Sequence, residues 1–361
     1  MKWEFAQWRK QWLNWLIFPV VLVLLVISYE TLLQQKTGQL TIESNRLVNE
    51  NEFLTQSDTD LENLKQTTHV KHERRLIKRQ QLRLHRYSTS LKTNLSNLNV
   101  QRLAYYQGMQ KHPQLLTQLS AKKIRVQILH DQYLVSHHIS ADEAQSSLSP
   151  GEFSLKSSGL ISTIMILIMM IIHVSGIFTR NFSGNNWRLL YTLPLARKQI
   201  WQWKDRLAGL LLLTDIAYVN IASFLVSAIF SHQLNGWLYP TIVANRSIQT
   251  RGVLVMATFI LTLTGGALIL NLIHTVGIII KEQFTTTIIL ISFIIIGGLF
   301  FRNIGTSLFQ FINPFTQLDL GSAFATISIT LPIMVSCISN LIWILILRCV
   351  TYPLDRKAQL R

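Results

Sequence analysis

Six blocks of apolar, nearly uncharged residues decide what this chain can fold into: roughly 13–30, 158–178, 207–231, 252–279, 285–301 and 325–348. Runs of about 18 or more such residues are long enough, as helices, to cross about 30 Å of hydrocarbon. Helices also satisfy their own N–H and C=O groups, which lipid tails cannot. The expected fold is therefore an all-α polytopic membrane protein with six transmembrane helices. The fifth block is short, and only IKEQFT separates it from the fourth, so a five-span or hairpin arrangement stays open. Charged residues make up only 14% of the chain and lie almost entirely between these blocks, a distribution that soluble domains do not show.

The first block has no small-residue cleavage site and further spans follow it, so it reads as an anchor rather than a secretory signal. Ahead of it, Trp3, Trp8, Trp12 and Trp15 mix with Lys2, Arg9 and Lys10. Indoles and long cationic side chains favour the headgroup region. Residues 1–12 are thus expected to form an interfacial amphipathic helix leading into span 1 at 13–30, with an ordinary aromatic belt as the alternative. Cys337 and Cys349 are twelve residues apart in or beside the last span. On a helix that is about 18 Å, far beyond disulfide reach. The net charge of +16 would suggest nucleic acid in a soluble protein. Here the cations flank apolar spans, and anionic membrane lipid accounts for them better.

Charge also orients the chain. Residues 179–206 carry Arg180, Arg188, Arg197, Lys198, Lys204 and Arg206 against Asp205 alone. Short Lys/Arg-rich loops stay cytoplasmic. With six spans both termini then lie in the cytoplasm of a multi-pass plasma-membrane protein, and 31–157, 232–251 and 302–324 lie outside. Long translocated domains escape the charge rule, so the basic 31–157 segment fits.

That external domain, 31–157, is expected to be mostly helical. Leu33, Leu40, Leu47, Leu54 and Leu61 recur every seven residues, as do Ile77, Leu84, Leu91, Leu98 and Tyr105. Each set forms one helix seam. A reversal near Gln66–Val70 would give an antiparallel helical hairpin standing on span 1, favoured over a dimeric coiled coil. Residues 43–62 hold six acids, and Lys65 to Lys92 holds nine cations against Glu73. These charges help the two helices pair, or the basic run holds an anionic headgroup, wall polymer or acidic peptide. Beyond Pro113, KKIRVQILHDQYLVSHHI alternates enough for a short strand or two. His69, His72, His85, His112, His130, His137 and His138 lack the spacing of a metal site and read as solvated surface.

The chain has no G-x-x-x-x-G-K-[ST], G-x-S-x-G, H-E-x-x-H or paired-Cys motif. It therefore supplies no P-loop, no catalytic residue and no metal site of a recognised kind. Leu193-Pro194-x-x-Arg197 followed by Lys204 resembles the segment between the second and third spans of ABC type-2 exporter permeases. Ile312-Asn313-Pro314-Phe315, just before the last span, is similar to that family's external re-entrant segment. The resemblance covers about 150–361. It implies that the helix before Pro194, about Asn185 to Leu193, is a coupling helix seated in a cleft of a separate ATPase subunit. Trp187, Leu190 and Tyr191 would be its apolar contacts, with Arg197 and Lys204 near the headgroups. Many members carry a Glu upstream of the Pro where this chain has Asn181.

Inside the spans, Asp215, Asn271 and His274, with Asn220, His173 and Asn340, are polar residues in apolar surroundings. They line a path or dimer interface, or they bond helices together within one subunit. Gly265-Gly266 and Gly297-Gly298 read as close helix packing. The resemblance thus implies the permease half of an ATP-binding-cassette exporter, not itself an enzyme. It would pair with a second permease, identical or related, and be driven by an ATPase that binds ATP and Mg. The cargo would be amphipathic or hydrophobic: a peptide, a lipid-linked molecule or a drug. The alternative is a multispan sensor or mechanotransmitting scaffold whose external domain binds a ligand or partner.

Overall fold

A computed structural model describes residues 6, 8–64, 67–93, 97–112, 120–141, 147–159, 161–179, 197–243, 247–297, 300, 313 and 330–358. These residues are mostly helical. In chain order the elements are α1 (Trp12–Glu62), α2 (Thr68–Thr93), α3 (Leu98–Lys111), α4 (Ala121–Ser136), α5 (Pro150–Gly159), α6 (Ile161–Thr179), α7 (Arg197–Ser231), β1 (Pro240–Val243), β2 (Ser247–Thr250), α8 (Arg251–Ile280), α9 (Gln283–Ile296) and α10 (Thr330–Ala358). Five of them, α1, α6, α7, α8 and α10, contain stretches long and apolar enough to cross a membrane. These are the proportions of a membrane-embedded protein. The fifth block appears as α9, with 14 residues, or about 21 Å of helix.

Helix α6 sits at the centre of the apolar bundle. It is apolar all round, and 72% of its apolar window is buried, against 17% for α10. Such a helix belongs inside a bundle, whereas α1, α9 and α10 turn apolar flanks (Val23, Ile289, Leu345) outward, where lipid covers them. Helices consecutive along the chain alternate in direction, so that α8 and α10 pack parallel. Tyr29 of α1 meets Leu148, while Asn14 at the start of α1 meets His173 of α6. Lys204 of α7 bonds Ile177 of α6, and Phe230 stacks on Tyr29. Ser175 of α6 bonds Thr287 of α9. Asn340, Arg348 and Thr351 of α10 meet Thr264, Asn271 and Thr275 of α8 in the same order. The start of α1, the end of α6, the start of α7 and the end of α10 therefore gather at one end of the bundle.

Two local devices set this packing. A Cβ at Gly266 would come within 2.6 Å of Leu212, so Gly266 is the small residue that lets α8 approach α7 closely. Lys281 adopts φ 63°, and its N–H bonds the Gly277 carbonyl. This left-handed cap stops α8 and returns the chain into α9 two residues later.

Helix α1 has 51 residues, about 75 Å, and runs unbroken past the bundle into a second core. There Leu47 and Leu54 share one core with Ile77, Leu84 and Tyr87 of α2, Leu98, Tyr105 and Met109 of α3 and Ile124 and Ile128 of α4. The expected antiparallel hairpin forms, with Arg74 bonded to Asp58 and Glu62 near its tip and Gln81 to Thr55. At the tip the opposed charges do pair the two helices. The second heptad run is not one helix, however. Leu98 and Tyr105 belong to α3, which folds back along α2 so that Gln80 donates to the Tyr105 carbonyl at 3.1 Å.

The strand reading of 122–139 is also corrected: 121–136 is helix α4. Ile124, Val126 and Ile128 suit a strand, but Ile124, Ile128, Asp131 and Leu134 are the buried set, which is helical spacing. Ser120 caps the first turn by accepting the Lys123 N–H at 3.3 Å. The strands that do form, β1 and β2, pair antiparallel with Pro240 opposite Thr250.

Glu50 lies buried in this second core, accepting the Tyr105 hydroxyl. Burial pushes its carboxyl up to about 7 despite Arg46 nearby, with Glu43 adding to the rise. Folding therefore takes up a proton between pH 4.5 and 7, so stability is highest below this window and falls as pH rises through it. Glu50→Gln keeps the acceptor without the charge. We expect it to unfold like the wild type at pH 4 and to be more stable by roughly 2 kcal/mol above pH 8, read from thermal or denaturant unfolding at the two pH values.

Candidate functional site

The sequence places the coupling residues between the end of α6 and the start of α7. Trp187, Leu190, Tyr191 and Pro194 lie outside the described residues, as do Pro314 and Phe315; Asn313 forms a bend. Arg197 opens α7. Lys204 is fully buried within the chain, its ammonium donating to the Ile177 carbonyl at 2.5 Å. The last carbonyls of a helix lack intrahelical partners, and a cation there also meets the negative end of the helix dipole. Lys204 thus caps α6 and fixes the start of α7 beside it.

About one turn of α6 before this cap, His173 of α6 faces Asp215 of α7. His173 Nδ1 lies 2.8 and 3.1 Å from the two carboxylate oxygens, and Nε2 lies 3.1 Å from the Asn14 carbonyl of α1. A carbonyl can only accept, so Nε2 carries hydrogen and donates to it. Nδ1 and Asp215 then share one further proton, as imidazolium with carboxylate or as imidazole with carboxylic acid. Either way the pair is neutral overall and every ring nitrogen is satisfied. Trp8 and Phe18 enclose the imidazole at 5.3 and 5.4 Å between ring centres, and the Tyr218 hydroxyl donates to the Phe18 carbonyl at 2.7 Å. The cluster ties α1, α6 and α7 into one unit.

Other polar residues of the bundle link α8 to α10. Asn271 Oδ1 accepts from Arg348 Nε at 3.1 Å, Thr275 and Thr351 lie 2.6 Å apart, and Asn340 donates to Thr264 at 3.2 Å. These links join α8 to α10. His274 stacks on Phe178 at 4.4 Å, with Asp205 at 3.7 Å. Asn220 turns back to its own helix, onto the Ile216 carbonyl. Within the chain, then, Asp215, Asn271 and His274 have partners on neighbouring helices. Among the described residues no group of three or more His, Cys, Asp or Glu is placed to hold a metal ion.

Sequence reasoning named His173 and Asp215 separately but not as a pair. They are 42 residues apart, and only the antiparallel packing of α6 on α7 brings them together. It missed Lys36, Glu152 and Arg251, charged residues that flank apolar blocks. Comparison with protein-family models, with curated proteins and with solved structures gives no match for this chain.

Proposed function

We propose that this chain is the permease subunit of an ATP-binding-cassette exporter, with six spans, cytoplasmic termini and an external 31–157 domain in the plasma membrane. One observation carries the reading: Lys204 of α7 bonds the Ile177 carbonyl near the end of α6, at the end of the bundle where α1 begins and α10 finishes, and the basic, Trp- and Pro-containing sequence 180–196 connects these two helices. Force applied to that connection would reach α6 and α7 together, because Lys204 holds the two helices to each other. The chain has no P-loop, so the force comes from a separate ATPase that binds ATP and Mg, and a second permease completes the path. The mostly apolar spans suit an amphipathic or hydrophobic cargo. ATP binding would draw the ATPases together and move the two halves as rigid bodies between two states.

A mechanotransmitting role is the second reading. It is supported by α1, which runs without a break from Trp12 in the bundle to Glu62 in the second core and would carry a tilt of the span directly into that domain.

The full chain, tagged and extracted in mild detergent, is expected to bring down a P-loop ATPase, identified by mass spectrometry. Recovery of the intact chain with no such protein would reject the permease reading. Trp187→Ala with Tyr191→Ala should lower the recovered ATPase at least about tenfold, the loss expected when aromatic anchors are removed from an interface, without lowering the amount of inserted chain. Unchanged recovery would remove those two residues from the contact.

A further inference from the structure

Where the two cores meet, α1, α4, α5 and the start of α8 surround a cavity of about 730 Å³. Its lining holds seven Lys or Arg side chains and only two carboxylates. At its base Lys36 and Lys156 share one carboxylate, Glu152, at 3.0 and 2.8 Å, so that group of charges is itself net positive. Arg251 adjoins them, with its guanidinium 4.2 Å above the Tyr239 ring. Burial alone would raise the Glu152 carboxyl, yet Lys156, Lys36 and Arg251 hold it below its ordinary value, a local sign of positive potential. Lys122 and Lys123, in the first turn of α4, line one wall; they are exposed and form no ion pair among the described residues. The helix dipole of α4 adds positive potential at the same place.

An excess of cations along one cavity raises the local concentration of anions, and 730 Å³ lies in the range of organic-ligand sites. Leu40, Leu91, Val126 and the Tyr106 ring supply apolar wall. The ligand is thus an anion with an organic part, not a lone inorganic ion. Several convergent ammonium and guanidinium groups match a phosphoryl group, which takes more than one cation. Lys36 is seven residues beyond Tyr29, about 10 Å along α1, and Tyr29 packs in the apolar core. The base of the cavity is therefore close to where lipid headgroups lie.

We propose that this cavity binds a phosphate-bearing organic anion, held between Lys36, Lys156 and Arg251 below and Lys122 and Lys123 at the side. The site does not depend on the permease reading. Its ligand is a phospholipid headgroup or a soluble phosphate ester, and one experiment separates the two sources.

The full chain is delipidated in nonionic detergent and titrated by calorimetry with dihexanoyl phosphatidylglycerol, with the zwitterionic phosphatidylcholine of the same chain length, and with glycerol 3-phosphate. Saturable binding of phosphatidylglycerol, about tenfold tighter than the other two, assigns a lipid. Glycerol 3-phosphate binding as tightly, and competing with the lipid, assigns a soluble ester. In both cases Lys122→Ala with Lys123→Ala should weaken binding about tenfold. Arg79→Ala, on an exposed face of α2 outside the cavity, should leave it unchanged. The proposal fails if neither anion binds saturably, if the double variant binds like the wild type, or if Arg79→Ala weakens binding as much as the double variant, since binding would then be diffuse surface attraction.

Discussion

His173→Ala is expected to lower the stability of the membrane bundle by about 3–5 kcal/mol, the loss typical of breaking a buried charge pair by removing one partner. Asp215 would remain in the apolar interior without its donor, and the contacts of Trp8 and Phe18 with the imidazole would be lost. Asp215→Ala should be comparably harmful, because it leaves His173 facing no carboxylate. Replacing both residues by Leu removes the polar requirement altogether, and buried pairs exchanged for apolar side chains often lose nothing. We therefore expect His173→Leu with Asp215→Leu to recover most of the lost stability, read as the midpoint of thermal unfolding and as the yield of monodisperse protein in detergent. The same double variant separates the two roles open to Asp215. If the chain is the permease proposed above, a structural clamp predicts that the variant brings down as much ATPase as the wild type. A residue that lines the path predicts a stable but inactive protein. Asp215 is fully buried within the chain and bonded to a neighbouring helix, and on that ground we expect the clamp.

What could be read in the sequence follows from which interactions are local. Apolar blocks announce helices because every residue in lipid meets the same requirement, so α1, α6, α7, α8 and α10 were legible to within a few residues apart from extensions such as 197–206 of α7. Leu47, Leu54, Ile77 and Leu84 likewise gave away the α1–α2 seam, since a seven-residue repeat fixes one helix face. Where two periods overlap, the pattern is silent: Ile124, Val126 and Ile128 alternate as a strand does, and only the Ser120 cap together with buried Leu134 marks a helix. Long-range polar pairs were not legible. Lys204 resembles any basic residue at a membrane surface until the end of α6 is placed against it. Glu152 resembles any turn acid until Lys36, more than a hundred residues earlier, reaches it. The chemistry of each residue was visible, whereas its partner depended on the packing of helices that no local pattern encodes.

Arg102 and Asp131 show the same principle in the second core, where the expected effect is equally large. Both side chains are buried, and the guanidinium grips the carboxylate through Nε at 3.0 Å to each oxygen and through Nη2 at 2.6 Å. Gln127 adds a further donor at 3.1 Å. The pair fastens α3 to α4, so Asp131→Ala should destabilise that domain by about 3–5 kcal/mol. Arg102 also borders the basic cavity, and removing its carboxylate leaves a buried cation among other cations, a worse position than an isolated one. Arg102→Met should therefore do less harm than Asp131→Ala, and Arg102→Met with Asp131→Leu should restore part of the loss. Hydrogen exchange of the full chain in lipid nanodiscs gives the test. Faster exchange in α3 and α4 of the Asp131→Ala protein, with α6 and α8 unchanged, is the expected pattern. Uniformly faster exchange would mean that the two cores unfold as one cooperative unit, and unchanged exchange would mean that the buried pair contributes no net stability to this domain.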